Sequence, residues 1–396
     1  MADLIILGGG CAGLSLAMRL AALGDACPSV TILEQRSHYQ HDRTWCFWHS
    51  KSTSMESLVT RKWLKILIKD DNDALVVDCT SSPYLMLESS TFYQEALRVI
   101  ALNNRIKLVL NTSIIEVPYK KASDWQVATE IETYVAQCII DTRPQQAPKI
   151  GNAVLWQSFL GQEISCEHGV FNQDCVTLMD FSRMDFSKNT AANAHVLHSK
   201  EIVFTYILPI SAERALVEAT VFSETPLNQA QLKQKLEAAI ITATQGKAYQ
   251  TIRSEHGILP MGLKKLATNQ DKSYINAGLN AGGARPSSGY AFQRIQRWAA
   301  ACALSIANGA LPVAHQADPI LLQWMDAIFL KVMQKQPQLA PKLFLAMFKK
   351  VKLSSMVRFL SDEATIKDYL AIILALPPSP FLKQLFVQIL LRRLIP

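Results

Sequence analysis

A glycine-rich turn near the N-terminus limits the possible folds more than any other part of the sequence. The apolar run from Leu4 to Leu7 predicts a buried strand, and residues Leu14 to Leu23 predict a helix. Between them Gly8, Gly10 and Gly13 occupy the positions of a G-x-G-x-x-G turn. Glycines at these positions permit a tight turn, a close approach of the backbone to a pyrophosphate, and close packing of helix on strand.

The residues after this helix complete a βαβ unit. A second strand is predicted from Val30 to Leu33, and Glu34 follows it 21 residues after Gly13, where a carboxylate accepts hydrogen bonds from an adenosine ribose. The helix N-terminus would face the phosphates. We therefore predict an ADP-containing cofactor, with a structural glycine turn as the alternative. The candidate contacts in the turn are Gly8, Gly9, Gly10, Cys11, Ala12 and Gly13.

Later segments distinguish FAD from NAD. The strand that ends at Asp141 is followed by a polar turn, as a second cofactor contact requires. The stretch from Ala277 to Tyr290 resembles the third FAD contact of the glutathione-reductase-like and hydroxylase-like flavoproteins, and an ordinary loop before a helix is the alternative. A second dinucleotide fingerprint for NADPH is absent from the sequence. The candidate FAD contacts are Asp141, Gly278, Gly283, Pro286 and Gly289.

The 396 residues exceed two typical domains, and the pattern along the chain predicts four segments. Residues 1–150 are predicted to form the first part of a Rossmann-like α/β domain that binds FAD. Residues 151–270 show little helical periodicity up to residue 222 and predict an inserted, β-rich substrate domain. Residues 271–310 return to the FAD-binding domain, and residues 311–396 form a basic helical region.

The net charge of +7 lies entirely in the last segment, because residues 320–396 contain eleven Lys and Arg against four Asp and Glu. Two stretches there, 343–353 and 381–393, combine apolar faces with basic residues, which is typical of helices that lie in an anionic membrane surface. Pro377 and Pro378 interrupt the apolar run before it could span a bilayer. A basic helical subdomain packed on the body is the alternative, and nucleic-acid motifs are absent.

Cysteine spacing and the N-terminus indicate the compartment. The eight cysteines form no C-x-x-C pair and no zinc-ligand spacing, so we expect reduced thiols in a cytosol and no metal site. The chain begins directly with the first predicted strand, without the pattern of a signal peptide. The sequence therefore predicts a cytoplasmic protein that associates peripherally with the inner face of the membrane.

Seven short segments, taken together and in this order, resemble the flavoprotein-type lycopene cyclases of bacteria and plants. Each segment alone is weak. The segments are Asp42–Phe47, Phe159–Glu163, Met179–Phe181, Tyr206–Ser211, Leu216–Thr220, Glu255–Met261 and Pro286–Tyr290.

The resemblance implies a lycopene β-cyclase that uses noncovalent, reduced FAD without net redox change, with NADPH as the reductant. It implies lycopene and related carotenoids as substrates, and γ-carotene and β-carotene as products. An acid protonates C2 of the terminal alkene, the C5–C6 double bond attacks the resulting cation at C1, and loss of a proton from C6 completes the ring.

The resemblance also assigns catalytic residues. Glu218, flanked by apolar residues, is the expected general acid, because burial would keep its carboxyl protonated; strand alternation pointing it to solvent is the alternative. Ala219 stands where the family usually has a second acid. Trp45 and Phe47 are the expected aromatic lining for the cation, worth about 0.5 to 2 kcal/mol each, with a place in the core as their alternative.

Two other functions remain open from the sequence. One is a redox flavoenzyme, a monooxygenase or a prenyl reductase, acting on an isoprenoid. The other is a membrane protein that binds carotenoid and FAD without catalysis.

Overall fold

The computed structural model describes residues 2–51, 53–144, 151–167, 169–183, 200–263 and 271–394, without the side chains of residues 280 and 388–394. The strands are β1 (Ala2–Leu7), β2 (Val30–Leu33), β3 (Thr44–Trp48), β4 (Arg61–Trp63), β5 (Lys65–Lys69), β6 (Ala74–Asp78), β7 (Tyr84–Glu88), β8 (Ile106–Val109), β9 (Tyr119–Lys121), β10 (Asp124–Ala128), β11 (Thr133–Asp141), β12 (Leu155–Cys166), β13 (Cys175–Asp180), β14 (Ile202–Pro209), β15 (Arg214–Ser223), β16 (Tyr249–Met261) and β17 (Tyr274–Asn276). The helices are α1 (Cys11–Ala21), α2 (Ser89–Ala101), α3 (Gln229–Ala243), α4 (Phe292–Ala307), α5 (Ile320–Lys335), α6 (Ala340–Lys350), α7 (Leu353–Leu360), α8 (Ile366–Ala375) and α9 (Pro378–Leu394).

The first layer is a mixed sheet in the order β8-β2-β1-β11-β10-β9, with β17 also paired to β11. Strands β8, β2, β1, β11 and β17 run parallel. Their apolar side chains are covered by α1, α2 and α4, which share one core with them. Because these strands are parallel, their carboxyl ends meet at one edge, beside the N-terminus of α1.

The second layer is a seven-stranded sheet in the order β16-β12-β15-β14-β13-β5-β6. Helix α3 covers one of its faces through a cluster that includes Leu236, Ala239 and Ile240. Strands β12, β13, β14 and β15 confirm that the described part of residues 151–222 is rich in sheet. The hairpin of β5 and β6 comes from the N-terminal segment, so residues 151–270 alone do not build this layer.

A small antiparallel sheet, in the order β3-β7-β4, lies between the two layers. One face of β3 contributes Phe47 to the core of the first layer, and the other contributes Trp48 to a core shared with the second layer. This strand therefore faces both layers at once.

The C-terminal segment is helical, and much of it packs on the body. Phe344 and Met347 of α6 share a core with Phe204 and Phe222 of the second sheet. Buried Arg285, in the loop before α4, pairs with Asp326 of α5 at 3.2 Å. One face of the apolar stretch 343–353 thus covers the second sheet. This agrees with the alternative given above, in which the basic helical segment packs on the body.

Part of this region remains open to solvent. Ile366, Leu374 and Phe386 are 72%, 80% and 65% exposed. In the described residues no single helix has the length and composition of a membrane span, although the pair Ile366–Ala375 and Pro378–Val387, bent by 108°, has them together.

Candidate functional site

The glycine turn adopts the geometry that its spacing predicts. Gly8 has a positive φ of 93°, and a side chain at Gly13 would overlap the carbonyl oxygen of Gly8. A side chain at Gly9 would overlap the Tyr39 hydroxyl, which itself donates a hydrogen bond to the Gly9 carbonyl at 2.9 Å. No side chain caps α1, whose N-cap is Gly10. The N–H groups at the start of this helix therefore remain available to an anion.

Glu34 lies at the end of β2, directly beside this turn. Its Oε2 accepts a hydrogen bond from the Gly9 amide at 2.6 Å, and its Oε1 accepts two from Arg36. The carboxylate is buried and fixed in the place where a ribose of a dinucleotide would lie. This placement agrees with the role predicted for Glu34.

The ends of β11 and β17 complete the cofactor edge. Thr142 donates to the Gly8 carbonyl at 2.8 Å, and an added side chain at Gly278 would lie 3.6 Å from the Cβ of Ala12. The Asp141 carboxylate pairs with Arg143 and accepts a hydrogen bond from the Tyr274 hydroxyl. Thr142 contacts the glycine turn directly, and a contact of Asp141 with the cofactor stays a prediction.

The loop of residues 278–289 carries the remaining predicted contacts. His315 Nε2 accepts a hydrogen bond from the Gly278 amide at 3.1 Å, and Gly283 lies against both of these residues. Burial lowers the pKa of His315 to about 3, so the ring stays neutral and can accept. The half-buried Pro286 precedes Ser287 in this loop.

Gly289 ends the loop against the second sheet. It has a φ of 71°, and an added side chain would lie 2.8 Å from Gln157 Oε1. That buried oxygen has no hydrogen-bond partner in the structure. A buried acceptor without a partner, beside a glycine that allows another molecule to come close, suits a hydrogen-bond donor on the ring system of a bound cofactor. The glycine turn, Glu34 and this loop together fit FAD.

Trp45 and Phe47 do not lie with the predicted acid. Their rings stack on Phe292 of α4, at centroid distances of 5.3 and 5.2 Å. Successive side chains of a strand point to opposite faces, and on β3 it is Thr44 and Cys46 that face the second sheet. Phe47 is buried in the core of the first layer, and Trp45 is partly buried against it. Phe47 also lines a small cavity together with Tyr290, and the role of both rings toward a cation stays a prediction.

Glu218 lies on β15, on the face of the second sheet that points toward β3. It is buried, and its Oε1 accepts a hydrogen bond from Thr220 at 2.5 Å. Burial raises the pKa of Glu218 to about 8, with Glu255 adding to the rise and the Thr220 hydroxyl opposing it. The carboxyl is consequently protonated at neutral pH. The alternative of a solvent-facing Glu218 is excluded.

A second carboxyl shares this face. Glu218 and Glu255 both pair with Gly161 of β12, one from each side. An added side chain at Gly161 would lie 3.4 Å from Glu218 Cβ and 3.5 Å from Glu255 Cγ. Because Gly161 has no side chain, no side chain from β12 stands between the two acids on the neighbouring strands at this position.

Glu255 differs from Glu218 in its partners. Its Oε2 accepts hydrogen bonds from Thr44 at 2.8 Å and from Arg253 at 2.5 Å. Arg253 also pairs with the buried Glu163 at 2.8 Å. Burial raises the pKa of Glu255, while Arg253 and Thr44 oppose the rise. The two acids thus occupy contrasting environments, one apolar and one cationic.

Three phenols extend from Glu218 toward the cofactor loop. Tyr206 is paired with Glu218 across β14 and β15, and its hydroxyl lies 3.0 Å from that of Tyr84. The Tyr84 hydroxyl lies 3.4 Å from that of Tyr290, which follows Gly289. Burial raises the pKa of all three phenols, so they remain protonated. These three rings form a buried aromatic surface beside Glu218.

A family profile described as lycopene cyclase protein matches residues 3–386. The chain belongs to the lycopene cyclase family. A comparison with curated protein sequences finds no match.

Solved structures show which enzymes share this fold. The chain is similar to a geranylgeranyl bacteriochlorophyll reductase-like protein of Thermoplasma acidophilum, at 13% identity and a TM-score of 0.61, over 96% of this chain and 98% of that one. It is similar to p-nitrophenol 4-monooxygenase PnpA of Pseudomonas putida, at 12% identity and a TM-score of 0.58, over 96% and 98%. Halogenase PltM, in complex with phloroglucinol and FAD, matches at 13% identity and a TM-score of 0.55, over 91% and 82%. The fold is the Rossmann-type α/β fold that binds FAD.

The departure at Ala219 has a structural reason. Ala219 lies on the opposite face of β15 from Glu218, in the cluster covered by α3. A second acid at this position would point toward α3 and away from the face that carries Glu218. The loss of that acid therefore leaves the face of Glu218 unchanged.

The sequence analysis did not assign roles to Glu255, Tyr206, Tyr84 and Tyr290. Glu255 and Tyr206 do lie in segments that carry the family resemblance, and Tyr290 ends another. Alternation within β15 and β16 could have placed Glu255 on a face, but only the pairing of both strands with β12 shows that it is the same face as Glu218.

Proposed function

We propose that the protein is a lycopene β-cyclase, an intramolecular lyase that closes the linear ends of lycopene to β-ionone rings. The observation that carries this proposal is the buried Glu218, whose raised pKa keeps it protonated and which the phenols of Tyr206, Tyr84 and Tyr290 connect to the cofactor loop. Membership in the lycopene cyclase family supports it. γ-Carotene and β-carotene are the expected products.

Glu218 acts as the proton donor. Its carboxyl gives a proton to C2 of the terminal alkene, and the electron pair of that double bond leaves a tertiary cation at C1. A carboxyl with a pKa near 8 is protonated before the reaction and still acidic enough to transfer the proton. The C5–C6 double bond then forms the C1–C6 bond and moves the cation to C5.

The buried residues around Glu218 stabilise the cation and exclude water. Tyr206, Tyr84 and Tyr290 present buried ring surface, and cation–π contacts of this kind contribute about 0.5 to 2 kcal/mol each. Reduced FAD, when bound, would supply negative charge beside the cation, worth several kcal/mol at an effective dielectric of about 20.

The reaction is an isomerisation, so each proton added must be matched by one removed. Loss of the proton at C6 restores the C5–C6 double bond and completes the β-ionone ring. Glu255 is the carboxylate that shares this face with the donor, and we assign it as the acceptor. Arg253 favours the anionic form that this role requires.

The substrate is a hydrocarbon of the membrane, which bears on where the protein acts. We propose peripheral association with the inner, anionic face of the cytoplasmic membrane. The exposed apolar side chains of α8 and α9 and the basic C-terminal segment support this arrangement. NADPH is proposed as the source of electrons that reduce the flavin.

The test is expression of this chain in a bacterium that accumulates lycopene, with pigment analysis by liquid chromatography and absorbance spectra. We expect a bicyclic product with a blue-shifted spectrum. Unchanged lycopene, with folded protein that contains FAD, would contradict the proposal. NADPH consumed stoichiometrically with product would instead indicate a monooxygenase or prenyl reductase, and bound but unchanged lycopene a noncatalytic carotenoid protein.

A further inference from the structure

A large cavity lies among the C-terminal helices, outside the site described above. It has a volume of about 750 Å³ and opens between α5, α6, α8 and α9. At its inner end it reaches Ser287 and Ser288, in the loop that leads to Gly289. Cavities that hold small organic ligands have volumes of about 300 to 1,000 Å³, so this one is large enough for a ligand.

The chemistry of the lining selects the ligand. Besides the two serines, Asp326 is the only lining residue of the described chain with a hydroxyl or a charge, and its carboxylate is occupied by Arg285 and by Ser287 at 2.7 Å. The rest of the lining is aliphatic or aromatic. A polar ligand would lose its water here without gaining partners, whereas a hydrocarbon would lose nothing.

The outer end of the cavity is open. Leu321 of α5, Ile373 of α8 and Leu382 of α9 all line it and are 46%, 47% and 51% exposed. The highly exposed Leu374 lies next to Ile373 on the same helix. A hydrocarbon could therefore enter from the same surface that is proposed to contact the membrane.

The inner end approaches the catalytic residues. Leu360, at the end of α7, lines this cavity and also a small second cavity that is lined by Cys46, Trp48 and Tyr290. Leu360 packs against the cores on both sides. Cys46 adjoins Tyr206, and Tyr290 adjoins Tyr84, so the second cavity leads to the phenols beside Glu218. Leu360 thus forms part of the wall that the two spaces share. The second cavity has a volume of about 30 Å³ and is also lined by Arg294, Arg297 and Asp362, so a hydrocarbon would have to displace side chains to pass.

We propose that the large cavity binds the unreacted part of a long polyisoprenoid hydrocarbon while its end passes Leu360 to reach Glu218. The identity of this hydrocarbon as lycopene rests on the proposed cyclase function. The binding site itself rests on the lining, the open outer end and the shared wall at Leu360. Leu360 is a positioning residue, since it controls access and does not react.

Induced circular dichroism tests binding separately from catalysis. Lycopene is achiral and gives a visible dichroism band only when a protein holds it asymmetrically. The FAD-loaded protein is titrated with lycopene in detergent micelles without reductant, and turnover is then measured with reduced flavin. The variants are Ile373→Trp and Leu321→Trp, which fill the cavity from α8 and α5, Leu360→Trp at the inner end, and Leu304→Trp as an exposed control on α4.

We expect the dichroism band with the unchanged protein and with Leu304→Trp. Ile373→Trp and Leu321→Trp should each weaken lycopene binding by about tenfold or more and lower turnover with it. Leu360→Trp should keep the band and lose turnover. Melting temperature and bound FAD show whether each variant is folded.

Each proposal fails in its own way. A band unaffected by both cavity-filling variants, or unchanged turnover in Leu360→Trp, overturns the binding site even if the protein cyclises lycopene. A band that both variants abolish, without any cyclised product from the unchanged protein, supports the binding site and overturns the proposed function.

Discussion

At the scale of single residues, the contrast between Glu218 and Glu255 determines what the site can do. Both are buried carboxyls beside Gly161, yet Glu218 has a hydroxyl for a partner and Glu255 has a guanidinium. The pKa of Glu218 rises to about 8, whereas the Arg253 guanidinium opposes the rise in the pKa of Glu255. This difference in environment is why we assign Glu218 as the donor and Glu255 as the acceptor. The phenols alone could not provide this, because their pKa values are raised and they hold their protons.

Replacing Glu218 with Gln should abolish cyclisation, because an amide has no acidic proton to give. FAD binding should be retained, because residue 218 lies outside the cofactor edge. In the unchanged protein the rate should fall as the pH rises through about 8, where Glu218 ionises. Lycopene conversion by the purified enzyme across a pH series checks both expectations. Normal turnover by the Gln variant would remove Glu218 from the mechanism.

The same substitution should change stability in a direction that depends on pH. Between pH 4.5 and about 8 the unfolded chain has lost the Glu218 proton and the native protein keeps it, so native stability falls as the pH rises. Above pH 8 the buried, ionised Glu218 destabilises the native state by on the order of 5 kcal/mol. Glu218→Gln should therefore raise the melting temperature at pH 8.5 and change it little at pH 4. An equal effect at both values would contradict the raised pKa.

Glu255→Gln should slow cyclisation by about 10² or more, the usual effect of losing a positioned base. It should also lower the pKa of Glu218, because the negative charge of Glu255 contributes to its rise. The alkaline fall in rate would then move to lower pH. Folding should be retained, since Arg253 keeps Glu163 as a partner.

Thr44→Val is the matched control for Glu255. It removes one hydrogen bond to the same oxygen and leaves the charge in place. A normal rate in Glu255→Gln, measured beside this control, would mean that another group accepts the proton.

At the scale of elements, the sequence predicts well where local rules suffice. The βαβ unit follows from Leu4–Leu7, the glycine turn and Val30–Leu33, because period, glycine positions and strand length all act within 35 residues. The orientation of Trp45 and Phe47 was not predictable in this way. It depends on which layer covers each face of β3, and that is decided by α4 and the second sheet, more than 100 residues away.

The candidate site follows the same division. Glu218 was assigned from the resemblance to the lycopene cyclases, and the apolar residues that flank it agree with that role. Placing Glu255 on the same face as Glu218 requires the register of β12, β15 and β16, which no local sequence pattern reveals. The partners of Asp141, Arg143 and Tyr274, were likewise not predictable from the local sequence, because Tyr274 lies on β17, more than 100 residues later.

A comparison of two glycines tests the turn as an element. Gly13→Ala places a methyl group on the Gly8 carbonyl oxygen, and we expect a loss of about 2 kcal/mol in the free energy of unfolding, as for other overpacked sites. The added methyl group of Gly10→Ala meets only Arg36, at 3.5 Å. The free energy of unfolding of the cofactor-free protein should therefore change by less than about 0.5 kcal/mol.

Urea unfolding and FAD titration distinguish the two glycines. Gly10→Ala should still weaken FAD binding, because its methyl group would lie where the phosphates approach. Equal stability of both variants would show that the turn is looser than described. Unchanged FAD affinity in Gly10→Ala would argue against phosphate contact there.

At the scale of the whole molecule, the C-terminal helices are tied to the cofactor layer by buried charges. Arg285 pairs with Asp326, and Arg294 pairs with both Asp318 and Asp362. The helical segment is therefore part of the body and not a detachable membrane anchor. Its apolar outer surface moves with the FAD-binding layer.

Membrane association is best tested on this outer surface. The double variant Leu374→Ser, Phe386→Ser should reduce co-sedimentation with vesicles of anionic lipid by about tenfold or more, because two exposed apolar side chains are lost. Raising the ionic strength should weaken binding further, through the basic segment. Val117→Ser with Ile131→Ser, equally exposed in the first layer, is the control. An equal loss in this control would place the membrane contact elsewhere.

The hairpin of β5 and β6 has a consequence for how the protein is made. Ile66 of β5 pairs in parallel with Val176 of β13, about 110 residues later in the chain. A ribosome adding about 5 to 20 residues per second needs roughly 5 to 20 s to cover that distance. During this interval the edge of β5 has no neighbour to pair with, and such edges recruit other chains. Yield in the cell should accordingly depend on chaperones that hold nascent chains, more than on the stability of the finished fold.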